Sequence, residues 1–163
     1  MSFLCWNCWG LEILQTIQEL GDLIRSQDPT VVFIAKTLLE EARLPGVLKK
    51  LNFKNSHCVS RENQGGGLVL LWNSKLDVCV EMSTLNHIDA IINKGKADAW
   101  GFTWCYRAPK KHNHCESWNL LRSLRLHFFW LQTDSRNAFL EKWMFCCYWK
   151  FGQTENVFSL TVK

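Results

Sequence analysis

The sequence predicts an α/β fold of the mixed (α+β) kind, on three observations. An apolar run, an amphipathic helical pattern and a second β-branched run follow one another in the first 35 residues. That order sets two strands side by side with a helix on one face. From about residue 53 the texture changes to short strand-like runs separated by polar or glycine-bearing turns, which reads as an antiparallel meander. A chain of 163 residues with 47% hydrophobic and 21% charged side chains suits one globular domain with its own core.

The first strand is Ser2-Phe3-Leu4-Cys5-Trp6, and it delivers Asn7 to the point where the chain leaves the sheet. An amide there can hold a phosphate oxygen, orient a catalytic group or bond its own turn. From Leu11 to Gln27, Ile13, Ile17, Leu20 and Ile24 recur at helical spacing, and Asp28-Pro29 stops the pattern. Thr30 to Ala35 is the second strand. Leu38 to Leu51 reads as a broken helix that restarts at Pro45-Gly46, with Lys49 and Lys50 suiting its carboxyl-terminal dipole. Five strands follow: Phe53 to Ser60, Gly67 to Trp72, Leu76 to Met82, His87 to Asn93 and Ala99 to Tyr106. Glu116 to Arg125 is a further helix, with Trp118, Leu121 and Leu124 on one side. Beyond Leu126 no clean period survives, although Trp130, Trp143, Phe145, Tyr148 and Trp149 are there. The division is therefore residues 1–126 as the patterned domain and 127–163 as a divergent tail.

The net charge of +4 is a mild excess that suits a polyanionic partner without a dense basic block. No apolar run approaches the roughly 20 residues that cross a bilayer. The eight cysteines lie largely in strand-like runs, and the opening stretch carries Asn7 and Glu12 where a leader would be apolar. The expectation is an intracellular, reduced protein with buried thiols.

Cys5 and Cys8 form a C-x-x-C between strand and helix, which the order of elements assigns to strand packing rather than to redox chemistry. A zinc site joining them to His112, His114 and Cys115 lacks the usual ligand spacing. Gly65-Gly66-Gly67 has no lysine-serine pair or helix after it, so it enters a hairpin. His87 and Asp89 share a strand face, as a polar pair near a groove or as surface residues. Arg107, Lys110 and Lys111, beside Tyr106, are the candidate contacts to a nucleic-acid backbone.

Six stretches in order carry a resemblance: Trp6-Asn7-Cys8-Trp9-Gly10, Asp28-Pro29-Thr30-Val31-Val32-Phe33, Gly65 to Trp72, Asn86-His87-Ile88-Asp89-Ala90, Phe102-Thr103-Trp104-Cys105-Tyr106 and Glu116-Ser117-Trp118-Asn119-Leu120-Leu121. Together they resemble the endonuclease/exonuclease/phosphatase family, most closely the endonuclease-like domain of plant non-LTR (LINE-type) retroelements. The resemblance implies a four-layer α/β sandwich, a divalent metal, usually Mg²⁺, and hydrolysis of a phosphodiester in DNA, with no small-molecule cofactor. It also implies catalytic roles for Asn7, in orienting carboxylates or binding phosphate, and for Tyr106, as a donor to the phosphate.

The departures from the family's pattern set the functional expectation. The metal-binding glutamate should close the second strand, and Phe33-Ile34-Ala35-Lys36-Thr37 puts Lys36 in its place. A hard Mg²⁺ needs oxygen ligands, and an ammonium roughly 4 Å from it would repel it by about 8 kcal/mol at an effective dielectric near 20. Asp134 and Asn137 are at the wrong spacing for the family's Gly-Asp-Phe-Asn, and no Ser-Asp-His-type motif precedes Lys163. The sequence thus predicts a partial sandwich without its C-terminal part: a degenerate, catalytically inactive endonuclease-like domain that leaves the family near Leu126. The alternative is a non-catalytic nucleic-acid or protein binding module using the residual groove and basic loop.

Overall fold

The computed structural model describes residues 1–60 and 66–106 in full, together with the backbone of residues 141–147 and 157–161. Two sheets face each other. The first is built from β1 (Ser2–Asn7), β2 (Val31–Ala35), β3 (Asn55–Val59), β4 (Leu68–Trp72) and β9 (Val157–Thr161), in the order β3-β4-β2-β1-β9. The second takes β5 (Val78–Thr84), β6 (His87–Ile92), β7 (Trp100–Tyr106) and β8 (Glu141–Cys147), in the order β5-β6-β7-β8. Helices α1 (Leu14–Gln27) and α2 (Leu44–Leu51) cover the outer face of the first sheet.

Strand alternation builds the layers. Leu4 and Trp6 of β1, Val32 and Ile34 of β2, and Val69 and Leu71 of β4 pack against Ile17, Leu20, Val47 and Leu51 of the helices. Their neighbours Phe3, Cys5, Val31, Phe33, Ala35, Leu68 and Leu70 face Ile88, Ala90, Ile92, Phe102, Trp104 and Tyr106 of the second sheet. The central strands are buried on both faces, which is why they read as continuous apolar runs. Helix, sheet and sheet make three layers among the described residues. The helix expected over Glu116–Arg125 lies outside them.

The strand-helix-strand opening forms as expected, with β1 and β2 parallel and Asn7 opposite Ala35. Pro45 sits in the first turn of α2, where its missing N–H is no loss, and Asp28 caps α1 in the left-handed region by donating its N–H to the Ile24 carbonyl. Helix α1 starts at Leu14, three residues later than the apolar spacing suggests. The N–H groups of Gly10 and Leu11 donate instead to the carbonyls of Lys36 and Thr37, at 2.9 and 2.6 Å. Leu11 is buried against that loop while Ile13 is left exposed.

The expected single meander is divided between the sheets. β3 and β4 pair as a hairpin in the first sheet, and the chain then crosses to the second, where β5, β6 and β7 pair antiparallel. Alternation identifies the faces of each strand but says nothing of which sheet it joins. The tail also contributes two strands that its sequence does not announce. β8 runs parallel to β7 and β9 antiparallel to β1.

Candidate functional site

The carboxyl ends of β1, β2 and β7 reach the same end of the sandwich, as the aromatic contacts across the core show. Phe3 lies 4.7 Å from Phe102 between ring centroids and 6.4 Å from Trp104, and Phe33 lies 6.2 Å from Trp104. Moving along β2 from Val31 to Ala35 therefore follows β7 from Phe102 towards Tyr106. This brings Asn7, Lys36 and Tyr106, three positions singled out in the sequence, to one rim.

Asn7 takes its direction from alternation with Phe3 and Cys5 and so belongs to the inter-sheet side. It is 5% exposed, and among the described residues its buried Oδ1 has no hydrogen-bond partner. Tyr106 closes β7, mostly buried, with its N–H donating to the Asn86 carbonyl at 2.7 Å.

Burial pushes the Tyr106 phenol up to about 12, from an ordinary value near 10. Because the folded state holds this proton more tightly, the associated stability is fully present below pH of about 10 and is lost as pH rises towards 12. The phenol is a donor, not a phenolate, at neutral pH. In a Tyr148→Phe chain the remaining tyrosine should titrate near 12 when followed at the phenolate absorption band. Titration at the ordinary value would mean that Tyr106 is solvated.

Lys36 follows Ala35 directly and has a left-handed backbone, with φ of 54°. Its ammonium lies 3.1 Å from the centroid of the Trp9 ring, a cation-π contact worth about 0.5–2 kcal/mol. Partial burial lowers its pKa. Trp9 and Leu38 are also left-handed, with φ of 53° and 51°. Such strain in non-glycine residues persists only where the surroundings hold it. Here the hold is visible: Thr37 and Leu38 donate N–H groups to the carbonyls of Gly67 and Gly66, each at 3.2 Å, alongside the Gly10 and Leu11 bonds. Three loops, after β1, after β2 and before β4, are laced into one rim.

Do these residues fit Mg²⁺? Among the described residues no group of three His, Cys, Asp or Glu side chains converges. The second strand ends in an ammonium instead of a carboxylate, and a hard cation is bound by carboxylate and carbonyl oxygens. The described residues do not fit the ion.

Other expected constellations are placed differently from one another. Cys5 belongs to the inter-sheet core and Cys8 to the helix-side core. Alternation points them to opposite faces, so they form neither a redox pair nor two ligands of one ion. The Cys8 thiol approaches the Ala35 and Lys36 carbonyls at 3.7 Å, and burial pushes it up to about 12. His87 and Asp89 are not surface residues. They are buried on the face of β6 opposite Ile88 and Ala90. There Asp89 accepts from the Thr103 hydroxyl at 2.8 Å, and His87 Nδ1 lies 2.6 Å from Thr84 Oγ1. Arg107, Lys110 and Lys111 lie outside the described residues, as do His112, His114 and Cys115. What sequence reasoning missed is Trp9, whose exposure and contact with Lys36 depend on two left-handed residues that no spacing rule signals.

No family model matches the chain, and no curated relative matches it. Solved structures do. TDP2 from Caenorhabditis elegans is 12% identical with a TM-score of 0.57, over 82% of this chain and 44% of that one. The endonuclease domain of TRAS1, a telomere-specific non-LTR retrotransposon, is 14% identical with a TM-score of 0.52, over 77% and 53%. A humanized Danio rerio TDP2 is 15% identical with a TM-score of 0.52, over 76% and 57%. The chain spans about half the length of these proteins. The likeness is one of fold: this chain has the α+β architecture of endonuclease/exonuclease/phosphatase-type proteins. No helix among the described residues is long and apolar enough to cross a membrane.

Proposed function

We propose that the chain is an endonuclease-like domain of retroelement descent, related to Mg²⁺-dependent phosphodiester hydrolases acting on DNA, in which hydrolysis has been lost. The observation that carries this reading is Lys36. It follows directly on the carboxyl end of β2, one residue beyond Ala35, the register partner of Asn7 on the parallel neighbour β1, and places an ammonium where the sequence motif calls for a carboxylate. The fold supports the descent, because the chain shares its architecture with TDP2 and with the endonuclease domain of TRAS1, a non-LTR retrotransposon. Asn7 and Tyr106 retain residues of the motif, an amide and a neutral phenol, and among the described residues no carboxylate cluster accompanies them to make hydroxide from water.

The direct test is nicking of supercoiled DNA by the purified full chain, with and without millimolar Mg²⁺. Metal-dependent nicking should not exceed background. Robust nicking that disappears in Tyr106→Phe would show that the site still works and would overturn the proposal.

A second reading follows from the same cation. An ammonium left at the rim, a net charge of +4 and the run Arg107, Lys110 and Lys111 just beyond β7 favour retention of nucleic-acid phosphate without cleavage.

A further inference from the structure

His57 of β3 and Ser83 of β5 meet across the two sheets, with the imidazole Nε2 3.0 Å from the Ser83 hydroxyl oxygen. Register explains how they meet. His57 pairs with Leu70 and Ser83 with Ile88, and both of those partners belong to the apolar layer between the sheets, so His57 and Ser83 face that layer too. Strands β3 and β5 stand at the ends of their sheets in the strand order, which puts the pair on one flank of the sandwich. Both side chains are half-buried there. An apolar pair would close such a flank without desolvating an imidazole and a hydroxyl, so the polar pair calls for an explanation.

We propose that Ser83 is a nucleophile with His57 as its general base, giving this flank an acyl-transfer activity towards carboxylic esters with a small apolar acyl group. A hydroxyl is a weak nucleophile unless an adjacent base takes its proton as it attacks, and the diagnostic geometry is a base about 2.6–3.2 Å away. His57 is within that reach. Burial lowers its pKa, so the ring is neutral and able to accept a proton at neutral pH, while the charge of Glu41 favours the imidazolium that forms when it does. Leu70, Ile88 and the adjoining Val59 give an acyl group an apolar wall. In the step itself, Ser83 Oγ bonds to the ester carbonyl carbon and its proton passes to His57 Nε2. The bond to the leaving oxygen then breaks, and the leaving group takes that proton from the ring. Water, giving up a proton to the same nitrogen, releases the acid and restores the hydroxyl. The pair is separated from β2 by β4, and the proposal is independent of nucleic-acid binding at the rim.

The test is incubation of the purified full chain with p-nitrophenyl acetate, following nitrophenolate release and mapping the acetyl group by peptide mass spectrometry after an acid quench within the first turnover. The acetyl group should map to Ser83. Ser83→Ala should abolish that adduct, and His57→Gln, which keeps a polar side chain on the flank, should slow acylation about 100-fold or more. Glu41→Gln should slow it by less, since the carboxylate acts on the ring and not on the ester. Thermal midpoints of the variants separate loss of chemistry from loss of fold. Acylation unchanged in a folded His57→Gln chain overturns the proposal, and the 3.0 Å contact is then structural alone. The map on the unaltered chain decides the matter whatever the variants do: acetyl groups confined to lysine, tyrosine or cysteine side chains, or no acetylation at all, overturn it as well.

Discussion

Trp104→Ala is expected to destabilise the chain by about 3–5 kcal/mol, the range for removing a large buried aromatic. The side chain is 1% exposed and is stacked on Phe33 and Phe102, with centroids at 6.2 and 5.5 Å, and tilted against Phe3. It therefore joins β7 to both β1 and β2, and its loss would open a cavity between the sheets that neighbouring rings cannot fill without leaving their own contacts. Trp104→Phe should cost less, about 1–2 kcal/mol, because the buried indole N–H has no partner among the described residues and its removal recovers part of an unsatisfied-donor penalty. Urea unfolding followed by circular dichroism measures both. A Trp104→Ala loss under 1 kcal/mol would mean that the two sheets are not packed through this residue.

Gly67→Ala is expected to cost about 2–4 kcal/mol, from left-handed strain of about 1–2 added to overpacking of about 1–3. Gly67 has φ of 86°, and a Cβ there would stand 2.5 Å from Thr37 Oγ1 and 3.3 Å from the Leu38 nitrogen. Thr37 cannot turn aside freely. It is fully buried, and its hydroxyl oxygen accepts the Leu39 N–H at 3.4 Å. Gly66→Ala is the internal control, since φ is 88° but nothing among the described residues lies within 4 Å of the new atom, leaving the strain of about 1–2 kcal/mol. The difference between the two thermal midpoints isolates the contact with Thr37. Equal losses would refute it.

Much of the first sheet was legible because its signals are local. The apolar runs at Ser2–Asn7 and Val31–Ala35 are strands, and Asp28-Pro29 and Pro45 bound the helices where breaker chemistry places them. The expectation that Asn7, Lys36 and Tyr106 belong together came only from motifs in sequence, since nothing in spacing says that the ends of β1, β2 and β7 lie at one end of the sandwich. Long-range choices were not legible. Which sheet β5 joins, that the outer face of His87 and Asp89 is covered, and that segments near Glu141 and Val157 pair with β7 and β1 all depend on partners far away in sequence. The late start of α1 was hidden for a related reason. Apolar spacing predicts a stripe, but the backbone donors of Gly10 and Leu11 are used by the loop after β2.

The pairing of β1 with β9, in which Ser2 meets Thr161 and Trp6 meets Val157, governs the order in which the molecule can assemble. During synthesis β1 emerges before its partners, and β2 can join it within some thirty residues, but its other edge must wait for β9 at Val157–Thr161. Contacts of such long sequence separation are slow to form because loop-closure entropy is lost before they add stability. Meanwhile the run from Phe3 to Trp6 presents an apolar strand with unpaired backbone groups, a template for the same run on a neighbouring nascent chain. Chaperone demand and expression temperature would then govern the yield of native protein more than the strength of its finished core.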